Sequence, residues 1–457
     1  MIHSNAQLHL KRLFAATHLT LMAAIILPAL PALGDDYAII PIERDNEWSS
    51  AIAINNLSQT GGAMQGTFYG EPFLWDRGKY TLLGNMGPTG AGVFDVADSG
   101  FATGYYKDQM WLETPFAWEP RLREVHILPF IDGYDSAEAY GVNSAGIVAG
   151  TAGNAVAVVW TDGVPDTLPG IGGWGEGARD INEAGWIVGW AADDQLVTNP
   201  VLWTDRNTAQ DLGTLGEWWS SGKAYAVSDS GQIAGYSRAP LDEHAFLWQD
   251  GEMFDLHDHP WLASYANGIG NNGEVVGVLI ESDYDPEVTA FLWRDGDGML
   301  ELRNMLPPKS NWTNLRQALD INDFGQIVGY GYRSDRNNYN HGFLMTSVYP
   351  TFTLDQPTPG TAGEVNTITA RNLTPGSKVY FIYGMVGGGS IIPRCEIVEA
   401  ALQIDDPVIA GTATADANGV ATLVGKVPSK WAGKEVLIQG LVSSECDISN
   451  LVVVKFE

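Results

Sequence analysis

A short apolar phrase closing on tryptophan returns along this chain at a nearly fixed interval. It reads Phe73-Leu74-Trp75, Phe116-Ala117-Trp118, Val158-Val159-Trp160, Val201-Leu202-Trp203, Phe246-Leu247-Trp248 and Phe291-Leu292-Trp293, with a last copy at Phe343-Leu344-Met345. Successive tryptophans stand 43, 42, 43, 45 and 45 residues apart. A unit of that length cannot bury its apolar side alone, so the copies must pack against one another. Between the phrases lies a second landmark, a Gly-x-x-x-Gly pair around a tight turn: Gly100/Gly104, Gly146/Gly150, Gly185/Gly189, Gly231/Gly235, Gly273/Gly277 and Gly325/Gly329. An earlier pair, Gly62/Gly66, follows a longer turn, so both landmarks occur seven times.

The turn chemistry is legible. Ile181-Asn182-Glu183-Ala184-Gly185 and Ile321-Asn322-Asp323-Phe324-Gly325 place Asn ahead of Gly between apolar runs. The Asn side chain can bond its own turn backbone, and Gly takes the positive φ that closes the hairpin. Ala97, Ser228 and Gly270 replace the Asn elsewhere. The second Gly follows two apolar residues, where a missing side chain lets backbones approach closely.

Each unit holds four short strands. In the fourth copy they are predicted at 200–203, 209–212, 223–227 and 232–236. Four strands per ~43 residues match a β-propeller blade, and the 3.6-residue periodicity of a helical solenoid is absent. Residues 37–43 begin in the middle of a unit, and 342–347 supply a lone first strand. The two pieces sum to one blade. The expected fold over 37–348 is therefore an all-β, seven-bladed β-propeller with a composite closing blade, since closure removes exposed sheet edges.

His244-Ala245-Phe246-Leu247-Trp248, with Asp211-Leu212-Gly213-Thr214-Leu215-Gly216 and Gly325-Gln326-Ile327-Val328-Gly329, resembles the HAF-repeat family of extracellular proteins. The likeness covers about two thirds of the chain, although His is kept only at His244 and His341. It implies an exported bacterial propeller-like protein, secreted, periplasmic or at the cell surface, and it brings no catalytic residues with it.

The flanks fit export. Lys11 and Arg12 precede an apolar run to Leu33, and Ala32-Leu33-Gly34 offers a cleavage site, so residues 1–34 read as a signal peptide. No second apolar stretch of spanning length follows. The two cysteines, Cys395 and Cys446, are expected to pair. Residues 351–457 lose the repeat and show alternating strands between turn signals, which predicts an immunoglobulin-like β-sandwich. A net charge of −30 disfavours nucleic acid and anionic lipid as partners.

Few motifs carry chemistry. Gly170-Ile171-Gly172-Gly173-Trp174-Gly175 has the dinucleotide glycine spacing, but a repeat strand follows where a helix is required. His257-Asp258-His259 lacks a third metal ligand, and Asp283-Tyr284-Asp285-Pro286-Glu287 lacks the spacing of a calcium loop. Neither a cofactor nor a metal is expected. The Gly-x-Ser-x-Gly elbow of hydrolases is missing. One positional signal remains. The loops between second and third strands carry aromatics at Trp48, Tyr134, Trp174, Trp218 with Trp219, Trp261 and Trp312. In a closed ring these loops share a face, where rings beside polar groups suit a glycan or an extracellular protein; the same rings could instead wedge between blades. Non-catalytic binding is the leading expectation. A polysaccharide hydrolase or lyase using axial carboxylates, and a structural adhesion component, are the alternatives.

Overall fold

The structure, a computed structural model, describes residues 36–44, 47–65, 70–84, 90–153, 155–216, 220–281, 287–336, 339–392, 395 and 401–457. The expected signal peptide, Trp218, Trp219 and most of the acidic loop at 283–287 lie outside them. Among the described residues no helix is long and apolar enough to cross a membrane.

Seven antiparallel sheets of four strands account for most of the chain. Sheets I to VI span 49–82, 91–127, 137–167, 176–211, 222–255 and 263–301, each with its strands paired in chain order. Sheet VII takes Trp312–Ile321, Ile327–Arg333 and His341–Val348 and completes itself with the first strand of the chain, Asp36–Ile42. That strand runs antiparallel to the last one, with Tyr37 opposite Ser347 and Ile42 opposite Gly342. Each sheet contacts the next in order, and sheet VII contacts sheet I. The arrangement is a closed, propeller-like ring.

The repeat is phased differently in space than in sequence. The predicted strands at 200–203 and 209–212 are the last two of sheet IV, whereas 223–227 and 232–236 open sheet V. The chain crosses between sheets in the middle of the sequence unit, because the long Gly- and Ser-rich loop, not the tight turn, is the connection able to pass from outer edge to inner edge.

One irregularity occurs in every sheet. The first strand bulges, between Ala51 and Ala53, Val93 and Asp95, Ala139 and Gly141, Ala178 and Asp180, Ala224 and Ala226, Ala266 and Gly268, and Ala318 and Asp320. A bulge inserts one residue without a partner and bends the strand. Here it also explains the second glycine of the repeat. A Cβ on Gly62, Gly104, Gly150, Gly189, Gly235, Gly277 or Gly329 would strike a carbonyl oxygen of the first strand in all seven sheets. The assignment of Gly62 as the first member of a Gly62/Gly66 pair is thereby corrected. Gly62 occupies the second position, and Ser58, at φ 60°, takes the left-handed place that Gly100 or Gly185 fills elsewhere. Its hydroxyl donates to Gln326 Oε1 at 2.6 Å, which holds that turn in place.

The repeated tryptophans fill the spaces between sheets. Trp75, Trp160 and Trp203 are almost fully buried, and Trp118 and Trp248 nearly so. Trp160 and Trp203 each donate their indole N–H to the carbonyl of a preceding crossover loop, at Pro129 and Pro169 (2.8 Å).

Beyond the ring, residues 353–455 form a three-stranded and a five-stranded antiparallel sheet around a separate apolar core. A hairpin that the sequence reading missed, Val386–Ile391 with Ala401–Asp405, leaves this unit and packs on Asp36–Ile42. Gly389 lies against the backbone of Ile39, where no side chain would fit. Gln403 Nε2 donates to Tyr37 O. The disulfide between Cys395 and Cys446 is formed as expected and ties the hairpin's loop to the tail.

Candidate functional site

The inserted residue of each bulge faces the centre of the ring. Ile52, Phe94, Tyr140, Arg179, Tyr225, Asn267 and Leu319 come one from each sheet, and together they line a cavity of about 440 Å³. Trp190, Lys223 and Gln317 add to its wall. The volume falls within the range of small-molecule sites. Six residue types share seven equivalent positions, whereas the glycine that faces each bulge is the same in all seven sheets.

Aromatic rings and cations make up one side. The Arg179 guanidinium lies 4.1 Å from the centre of the Tyr140 ring and 5.7 Å from that of Tyr225. The Lys223 ammonium lies 4.2 Å over Trp190, whose ring spreads across Gly177. Phe94 stacks on Tyr105 at 4.6 Å and meets Tyr140 edge-on at 6.0 Å. Among the described residues neither Arg179 nor Lys223 forms an ion pair with a carboxylate. Burial, and then the Arg179 charge, hold the Lys223 ammonium below its ordinary pKa.

Three aspartates also face the axis. Asp95, Asp180 and Asp320 line the cavity, and burial raises all three carboxyls, Asp95 well above the usual range and Asp320 to about 7. The charge of Asp180 adds to the effect at Asp95. Such values would suit an acid or base. The hydrogen bonding assigns them another task. One oxygen of each accepts the N–H of the following residue, Val96, Ile181 or Ile321, at 2.7–2.8 Å. The other accepts a backbone N–H from the next sheet, Val142, Val227 or Ile54, at 2.7–2.8 Å. Each aspartate is thus a clamp between neighbouring sheets. Small residues stand beside two of them: a Cβ on Gly141 would meet the Asp180 backbone at 2.8 Å, and one on Gly268 the Asp320 backbone at 2.9 Å.

At the far end of the channel the tight turns are joined in a ring. Asn56 N–H donates to Asp98, Ser99 to Ser144, Ser144 to Glu183, Glu183 to Asp229, Asp229 to Asn271, Asn271 to Asp323, and Asp323 back to Asn56, at 2.6–3.2 Å. All seven junctions carry one such bond. A second set runs beneath it. The Nδ2 groups of Asn55, Asn143, Asn182 and Asn322 donate to carbonyls of the next sheet, at Ala97, Asn182, Ser228 and Asn55. The repeat's Asn therefore caps its own turn through Oδ1 and fastens the next sheet through Nδ2.

The aromatic loop residues separate in the structure. Trp174 is 90% exposed on a loop held by the Gly173 N–H to Ala192 O bond. Trp312 is 6% exposed and meets Phe343 edge-on at 5.7 Å, with Arg333 above it. Tyr134 packs over Gly153 within an apolar cluster, Trp261 joins another beside His259, and Trp48 rests on Gly70. His257 is fixed by Ser264 and Trp261 O, and His259 faces Glu301, so the two imidazoles are committed to different partners. Among the described residues no cluster has the geometry of a metal site. The glycines at 170–175 lead into the strand Glu176–Ile181, with no helix. Sequence reasoning missed Arg179, Lys223 and the bulge residues. The only signal was that one position in each first strand changes character from copy to copy.

No protein-family model matches the chain, and no curated protein does. Among solved structures, the chain is similar to a fungal alcohol oxidase (11% identity, 92% of this chain and 99% of that one, TM-score 0.39). It is also similar to an oligogalacturonate lyase from Vibrio parahaemolyticus (9%, 67% and 93%, TM-score 0.45) and to the six-bladed fungal lectin of Aleuria aurantia (11%, 57% and 96%, TM-score 0.33). These likenesses carry no functional argument; the architecture rests on the strand pairing described above.

Proposed function

We propose that the protein is an exported, non-catalytic binding protein: a seven-bladed propeller of HAF-repeat type with an immunoglobulin-like sandwich behind it. Its ligand is a glycan, held at the axial cavity and the crossover-loop face around it. One observation carries this reading. Six residue types at seven structurally equivalent positions converge on one cavity, Asn267 alone of them also bonding the next sheet through Nδ2 to Ala318 O, while the glycine facing each bulge is the same in all seven sheets. Exposed Trp174 and cavity-lining Trp190 belong to the same sheet region and supply the flat apolar surfaces that sugar rings favour.

Catalysis by axial carboxylates is the second reading, and the pKa of Asp320 near 7 favours it. Against it, both oxygens of all three aspartates already accept backbone N–H groups. The full chain should be retained on polysaccharide or cell-wall columns, and retention should be lost on combining Trp174→Ala with Trp190→Ala. Retention unchanged by that pair overturns the site; turnover of a polysaccharide abolished by Asp320→Asn would replace binding with catalysis.

A further inference from the structure

The geometry points to an anion subsite inside the axial cavity, between Arg179 and Lys223, shaped for the carboxylate of an acidic saccharide. This deepens the glycan-binding reading and rests on it. Two cations share one cavity and neither forms an ion pair with a carboxylate, although the Arg179 charge acts on the adjacent Asp180; such a pair is costly in a folded protein unless something else compensates it. The chain has 55 acidic residues against 25 basic ones, so partners were not scarce. Among the described residues, the acidic groups lining the cavity are Asp95, Asp180 and Asp320. Their oxygens are committed to backbone N–H groups of the sheet junctions.

What holds the cations instead is aromatic. Tyr140 supports the guanidinium and Trp190 the ammonium, both at close to 4 Å. A cation seated on a ring face is oriented without being neutralised. Arg179 can meet a carboxylate through two parallel N–H bonds, and Lys223 can add a point charge. Gln317 brings an amide for hydroxyls, Asn267 brings its side-chain oxygen while its Nδ2 is held by Ala318 O, and the wall is too polar for a lipid tail. The cavity of about 440 Å³ leaves room for more than one sugar ring. A free sugar acid and an acidic residue within a chain share this chemistry.

The test is calorimetric titration of the full chain with galacturonic acid, its trisaccharide and the neutral galactose trisaccharide. The wild-type protein should bind the acidic trisaccharide at least tenfold more tightly than the neutral one, with an advantage that shrinks as salt is raised. Arg179→Gln and Lys223→Met should each remove that advantage, costing the acidic trisaccharide at least tenfold more affinity than the neutral one, while Arg179→Lys should keep part of it. Melting temperatures of the variants report whether the ring is intact. A stronger response to the monosaccharide identifies a free sugar acid, and a stronger response to the trisaccharide a chain residue; either supports the subsite. Equal affinity for acidic and neutral trisaccharides, or acidic binding that survives both substitutions, removes the anion subsite and leaves the glycan reading standing. Binding of none of the three sugars by the wild-type protein removes both.

Discussion

The two ends of the axial channel are built on opposite rules. At the turn end every junction between sheets is closed by the same kind of bond, a side-chain acceptor taking a backbone N–H from its neighbour. The acceptor changes among Asp, Asn, Glu and Ser, but the connection does not. At the cavity end the equivalent residues are Ile, Phe, Tyr, Arg, Tyr, Asn and Leu, six side-chain types with no bond common to all seven; Asn267 reaches Ala318 O, and Arg179 lies against two tyrosines. Repetition is kept where it holds the ring together and lost where a ligand would be read. A closed repeat can separate stability from recognition in this way, because the bulge projects one residue per sheet that the hydrogen-bond ladder does not need.

The contrast is easiest to break at the turn side. Gly235→Ala should have the largest effect, a destabilisation of about 3 kcal/mol or more in chemical denaturation, because the new methyl meets the Lys223 carbonyl and cannot move away from it. Asn182→Ala should cost about 2 kcal/mol, since it removes the turn cap and the bond from Nδ2 to the Ser228 carbonyl of the next sheet, which then keeps only the Gly231 N–H. A smaller effect belongs to the clamps. Asp320 titrates near 7 in the folded chain and near 4 when unfolded. Between those values the folded state binds more protons, so its stability falls as pH rises. Melting temperature should therefore decline from pH 5 to pH 8, and Asp320→Asn should flatten part of that slope. The smallest effect is expected at the cavity end, where Arg179→Gln should shift stability by less than about 1 kcal/mol, the scale of a cation–ring contact. Equal losses at Asn182 and Arg179 would erase the division.

Much of the ring could be read from the chain, because its strongest constraints recur. The tryptophan phrase, the turn Asn and the two glycines each mark a backbone event that happens seven times, and Cys395 and Cys446 had no other cysteine with which to pair. The phase of the repeat was harder. A strand joined to its neighbour by a tight turn and one joined by a long crossover look alike until pairing is seen. Ser58 was missed because it takes a left-handed conformation usually given to glycine. The cavity was illegible for a deeper reason. Arg179 sits between Ala178 and Asp180 in a strand whose strict alternation would place only every second residue on one side, and the bulge that turns it to the axis leaves no mark in composition. The hairpin at 386–405 was overlooked because its glycines read as a loop; they are there to lie flat on another strand.

The seam at Asp36–Ile42 has a consequence for how the molecule is made. A chain emerging from its N-terminus must carry that strand unmatched for about 300 residues before Gly342 and its neighbours exist to receive it. Six sheets can assemble in turn, but the seventh waits for the final segment, and the tail then lays its hairpin over the join. A chain shortened ahead of His341 would be left with two raw margins facing each other across a gap.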